Sequence, residues 1–166
     1  MLNLTSFIRF HARRTPDALA IVYGDTRLTY SALSTRIEQT AGLLAARGIG
    51  PGDIVAVVMK NSAAFVELAF ATSHIGAVFL PVNYRLAADE VGYITGHAGA
   101  KLVFADEEFA GLVGNLANVA LVDTAAQSDS TRLADGASPA PMHATGPDDL
   151  FRLMYTSGTT DRPKGV

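Results

Sequence analysis

The residues best equipped for chemistry lie together at Thr156, Ser157, Gly158, Thr159, Thr160, Asp161, Arg162, Pro163, Lys164 and Gly165. The apolar run Leu150-Phe-Arg-Leu-Met-Tyr155 leads into them and predicts a buried strand that opens a loop. Hydroxyls, flexible backbone N–H groups and two cations on one loop can converge on the oxygens of a polyphosphate. A solvated Gly/Thr turn has the same composition, and the residues alone leave those two readings level. The loop is not a Walker A sequence. Counted from Gly158, that pattern requires Gly where Pro163 stands and Ser or Thr where Gly165 stands.

Few other chemistries are open to the chain. It has 0 cysteines, which excludes disulfides, thiolate metal sites and a cysteine nucleophile, and fits a reducing, cytoplasmic compartment. The 4 histidines, His11, His74, His97 and His143, show no metal-ligand spacing and read as surface or packing residues. Asp148-Asp149 reads as a solvated pair preceding a strand rather than a metal site, so no metal ligand is assigned. A net charge of −3 gives no reason to expect nucleic acid or an anionic membrane as partner. No apolar run is long enough to span a membrane.

The elements that must position the loop follow from periodicity. Residues 6–14 read as a first helix, capped by Ser6 and packed through Phe7, Ile8 and Phe10. The same stretch, with three Arg and no acid, resembles an organellar transit peptide, but the Thr15-Pro16 stop favours the helix. A hairpin is expected from Ala18–Tyr23 and Thr26–Thr29 around Gly24-Asp25. A long helix then starts near Tyr30, carries Leu33, Ile37, Ala41 and Leu44 inward, and ends by Gly48.

A rhythm of glycine followed by a short apolar run comes next: Ile54–Val58, Ala77–Leu80 and Lys101–Phe104. The intervening helices are expected at Ala63–Ala71, apolar around its circumference, and at Ala87–His97; a further strand is expected at Asn118–Val122. This alternation predicts an α/β fold with a mostly parallel sheet covered by helices on both faces. By domain organisation, 1–123 reads as an α/β subdomain and 124–149 as a surface connection with one helical turn near 131–134. Residues 150–166 read as strand plus loop.

The loop resembles the phosphate-binding signature of adenylate-forming enzymes, the AMP-binding superfamily of acyl-CoA synthetases, peptide-synthetase adenylation domains and luciferases. Against the pattern Tyr-Thr-Ser-Gly-Thr-Thr-Gly-x-Pro-Lys-Gly-Val, only Asp161 departs. The resemblance runs through Leu28-Thr-Tyr30, Gly48-Ile-Gly-Pro-Gly-Asp53 and Gly76-Ala-Val-Phe-Leu-Pro-Val-Asn-Tyr-Arg-Leu86 with Glu90. The Pro81-Val-Asn-Tyr-Arg segment is similar to acyl-CoA synthetases rather than to peptide-synthetase domains, which favours coenzyme A over a carrier protein as acyl acceptor.

The resemblance implies a two-step reaction. A carboxylic acid attacks the α-phosphorus of Mg²⁺-bound ATP, giving acyl-adenylate and pyrophosphate, and coenzyme A then displaces AMP. Residues 156–160 would donate to the β- and γ-phosphates, Lys164 would add positive charge, and Gly158 and Gly165 would supply freedom to move. Asp161 would carry a negative charge towards the phosphates, which Arg162 and Lys164 offset; Asp161→Gly is expected to retain activity. The family's acyl pocket and mobile domain with its catalytic lysine have no counterpart in these 166 residues. No catalytic residue is therefore assigned, and the polypeptide alone is expected not to form acyl-CoA. Truncated sheet neighbours would leave edges open to homo-oligomer formation. The competing readings are a module that loads a carrier protein and a nucleotide-binding or structural domain that never catalyses.

Overall fold

The computed structural model describes residues 3–124, 137–156 and 163–166. Helix α1 (Thr5–Arg14) is followed by an antiparallel hairpin, β1 (Leu19–Tyr23) and β2 (Thr26–Thr29), turning through Gly24 at φ 55°. Helix α2 (Tyr30–Ala46) starts where Thr29 Oγ1 accepts from Ala32 N, and the chain leaves it through Gly48 at φ 77°, a left-handed exit that favours glycine. There follow β3 (Ile54–Val58), α3 (Ala63–His74, capped by Ser62), β4 (Val78–Pro81), α4 (Ala88–Ala98) and β5 (Leu102–Asp106). A 3₁₀ turn over Glu107–Phe109, α5 (Ala110–Val113) and β6 (Val119–Val122) complete the layer.

Four strands form a parallel sheet in the order β4-β3-β5-β6. Apolar side chains alternate across it. Val55, Val57, Phe79, Leu102 and Phe104 face α2 and α3, while Ala56, Val58, Leu80, Val103 and Ala105 face α4 and α5. Both faces are therefore covered, as the continuous apolar strands predict. Leu33, Ile37, Leu44 and Leu68 are essentially inaccessible to water, and each such burial stabilises the fold by about 1.5–3 kcal/mol.

The α2–α3 interface holds a charge pair that the periodicity did not disclose. Arg36 Nε lies 2.7 Å from Glu67 Oε1, with the side chains 6% and 1% exposed. Two charges are tolerated there only because each neutralises the other. Residues 138–143 then cross α2 and α3 as a strap. Ala140 N donates to Glu38 O (3.1 Å), His143 N donates to His74 O (2.7 Å), and Asn3 Nδ2 donates to Ser73 O (2.5 Å). The crossing is close. A Cβ on Gly42 would collide with the Ser138 carbonyl, and one on Gly76 would meet the His143 ring.

Three expectations need correction. Ser6 does not cap α1: the helix already starts at Thr5, which puts Ser6 inside its first turn, and Asn3 Oδ1 accepts from Thr5 N (2.9 Å). Of the three apolar residues assigned to that helix's contacts, only Ile8 is buried. Phe7 and Phe10 lie on the solvent side, because the α1 face towards α2 and α3 carries Thr5 and Ile8. Residues 150–155 do not form a buried strand. Arg152 makes a single parallel bridge to Phe79 at the outer edge of β4, leaving Leu150, Phe151 and Met154 exposed because no described element covers that edge. The helical turn expected near 131–134 lies outside the described residues.

Candidate functional site

After the Arg152 bridge, where Phe79 N donates to Phe151 O and Leu153 N to Phe79 O (each 3.0 Å), the chain enters a second hairpin. Strands β7 (Tyr155–Thr156) and β8 (Lys164–Gly165) pair antiparallel, with Tyr155 opposite Gly165 and Thr156 opposite Lys164. Met154 and Val166 extend the ladder by exchanging backbone hydrogen bonds of 3.0 and 2.7 Å. Of the ten loop residues assigned from sequence, Thr156, Pro163, Lys164 and Gly165 are described. Ser157, Gly158, Thr159, Thr160, Asp161 and Arg162 lie outside the described residues.

Those four already define the base of the loop. Thr156 and Lys164 are cross-strand neighbours and both exposed, so a hydroxyl and an ammonium sit side by side facing solvent. Gly165 sits in close packing, since a Cβ there would lie 3.2 Å from the Tyr155 ring, which would have to shift by a few tenths of an ångström. The Tyr155 hydroxyl meets His97 Nδ1 at 2.6 Å, and the His97 ring stacks on Tyr93 of α4 with centroids 5.4 Å apart. Burial pushes the Tyr155 phenol above its ordinary pKa. The sequence signal for this contact was a lone phenol in an apolar run just before the loop. His97 had no signal beyond being polar.

A second place where ligands settle in open parallel sheets is the carboxyl end of adjacent strands whose connections leave towards opposite faces. Here these are β3, leading to α3, and β5, leading to α5. Lys60 and Glu108 bridge that point at 2.7 and 2.8 Å, and Lys60 Nζ lies 5.5 Å from the Phe109 ring centre. The Glu108 carboxylate raises the Lys60 pKa, so the ammonium is committed to a pair the protein itself supplies. Behind it, Asp106 is held by Thr124 Oγ1 and by Glu108 N. Among the described residues, no group of three or more His, Asp or Glu could hold a metal ion. No helix among them is long and apolar enough to cross a membrane.

The AMP-binding enzyme family model matches residues 8–166. The chain belongs to the AMP-binding enzyme family. Among curated members, the chain is 40% identical over 156 residues to a feruloyl-CoA synthase of Amycolatopsis, covering 93% of this chain and 31% of that protein. It is 36% identical over 170 residues to the fatty acid–[acyl-carrier-protein] ligase ScoC of Streptomyces coeruleorubidus, covering 99% of this chain and 32% of that one. Among solved structures, the inhibitor-bound N-terminal domain of FACL13 from Mycobacterium tuberculosis superposes with a TM-score of 0.87 at 34% identity, covering 100% of this chain and 44% of that one. This AMP-binding chain thus spans about a third of the length of the curated relatives it matches. Its α/β architecture is that of the N-terminal domain of an acyl-CoA synthetase.

Proposed function

We propose that the chain is the N-terminal, phosphate-gripping part of an ATP-dependent carboxylic acid–CoA ligase. The observation that carries this reading is the β7–β8 hairpin, which sets Thr156 beside Lys164 at the mouth of a loop matching the family's phosphate signature. In the first step, negative charge accumulates on the departing pyrophosphate. Donors fixed around the β- and γ-phosphates stabilise that charge more than they stabilise bound ATP, which lowers the barrier. Thr156, Ser157, Thr159 and Thr160 would donate hydroxyls, Gly158 and its neighbours backbone N–H groups, and Arg162 and Lys164 positive charge. Mg²⁺ would accompany ATP, bridging its phosphates and offsetting their charge.

Coenzyme A as the acceptor is supported by the segment after β4. That support is the similarity of Pro81-Val-Asn-Tyr-Arg85 to acyl-CoA synthetases; in the structure Asn83 Oδ1 accepts from Arg85 N (3.0 Å) in an Asx turn and Tyr84 stacks on Phe109. The 36% identity to a relative named as a carrier-protein ligase favours a second reading, in which the acyl group passes to a carrier-bound thiol. The test is carboxylate-dependent ATP–pyrophosphate exchange by the full-length ligase over a broad acid panel. It is followed by acyl transfer to free coenzyme A or to a phosphopantetheinyl carrier. Exchange followed by thioester formation on coenzyme A is expected. No exchange with any acid would defeat both readings, and transfer only to the carrier would establish the second.

A further inference from the structure

We propose that His97 is a positioning residue for the phosphate hairpin, clasping Tyr155 from α4 so that Thr156 and Lys164 stay side by side. This deepens the phosphate-gripping role proposed above and rests on it. Three features carry the inference. The Tyr155 side chain touches both ends of the loop's base: its own strand β7, and Gly165 of β8, where any Cβ would press on the ring. Its hydroxyl makes a 2.6 Å hydrogen bond to His97 Nδ1, linking residues 58 positions apart in sequence. His97 is in turn oriented by stacking on Tyr93, one turn earlier on the same helix.

Apart from the packing of Leu153 and Tyr155 against the α4 side of the core, the hairpin stands in solvent. Its two short strands expose Thr156, Lys164, Gly165 and Val166, and a two-residue ladder on its own is marginal in water. The backbone bridge at Arg152 ties the chain ahead of the hairpin to β4. The Tyr155 ring, packed on the core and held at its hydroxyl by His97, ties β7 itself to α4. His97 touches no phosphate in this arrangement; it acts through Tyr155.

The experiment compares the full-length ligase with its His97→Ala, His97→Asn and Tyr155→Phe variants. Asn keeps a group that can accept or donate near the place of Nδ1, and Phe keeps the ring while losing only the hydroxyl. Amide hydrogen exchange at Met154 and Val166 reports the hairpin, and titration with MgATP reports the grip. Expected for both His97→Ala and Tyr155→Phe are faster exchange and MgATP affinity lower by about fivefold, the scale of one hydrogen bond. His97→Asn should recover most of both, and combining His97→Ala with Tyr155→Phe should add nothing further. Urea midpoints should not move, because His97 lies outside the core. Unchanged exchange in His97→Ala, or failure of Asn to recover it, overturns the clasp. If the full-length ligase with His97 and Tyr155 intact does not respond to MgATP while exchange still quickens in His97→Ala, the clasp stands and the phosphate reading falls.

Discussion

The α2–α3 face of the sheet and the β7–β8 hairpin are built on opposite principles. The first is closed on every side: sheet below, two helices above, a buried ion pair between the helices and a strap across their backs. The second is open, with Leu150, Phe151, Met154 and Val166 exposed around it, and is held by the packing of Leu153 and Tyr155 and the His97 clasp to α4. Stability is therefore concentrated where no chemistry is proposed, and the proposed chemistry stands on a part that contributes little to stability. Such a division lets a loop exchange polar partners with a ligand without endangering the fold.

The largest effect that would break this contrast comes from the ion pair. Glu67→Ala leaves the Arg36 guanidinium buried without its carboxylate, and is expected to cost about 3–5 kcal/mol in urea denaturation. Replacing both partners together, Arg36→Met with Glu67→Leu, should recover most of that loss, because apolar residues fill the volume without a stranded charge. A loss below about 1 kcal/mol for the single change would mean that water reaches the pair and that this face is less closed than described.

Next in size is Gly42→Ala. In an exposed helix this change stabilises by about 1 kcal/mol. Here the sign should reverse to a loss of about 1–3 kcal/mol, since the methyl group meets the Ser138 carbonyl of the strap. The sign alone decides whether the strap lies where it is described.

These two positions also show where sequence reasoning stops. The strand and helix rhythm was legible because continuous apolar runs and glycine exits report local conformation, and β3, β2 and the start of α3 fall where periodicity puts them. Gly42 and Arg36 were not legible. One glycine in a helix and one arginine on an apolar face acquire meaning only from Ser138 and Glu67, distant in sequence. The loop motif was legible as a string of donors, whereas its support from His97 depends on how α4 lies against β7. The 150–155 run misled for the complementary reason. Apolar composition predicts burial, but it cannot say whether the covering element is present among the residues at hand.

A smaller effect separates the two regions by pH. His74 is buried, its Nε2–H donates to Ala140 O at 3.0 Å, and Nδ1 has no partner among the described residues. Burial lowers its pKa below the ordinary 6.5, because an imidazolium would leave a buried donor unpaired. The unfolded chain then binds the proton more readily than the folded one. Stability is complete above the ordinary histidine value and declines as pH falls below it towards the folded value. A Tm profile over that range should slope downwards on acidification, and His74→Gln should flatten it. Hairpin exchange should not follow the same profile, since His74 packs under the strap and not against β7.

The smallest expected effect tests the open region directly. Phe151 is 50% exposed, and its ring borders a cavity of about 340 Å³ shared with Arg152, Met154, Thr156 and Val166. The bonds that tie this residue to β4 run through its backbone, Phe79 N to Phe151 O, and survive any side-chain change. Phe151→Ser should therefore alter stability by no more than about 0.5 kcal/mol, as for a surface position. A loss above about 1.5 kcal/mol would mean that the ring is already covered in solution, and concentration-dependent unfolding would identify a second copy of the chain as the cover. In that case the free edge beside β4 is an interface, and the contrast between a closed face and an open hairpin would hold only for the monomer.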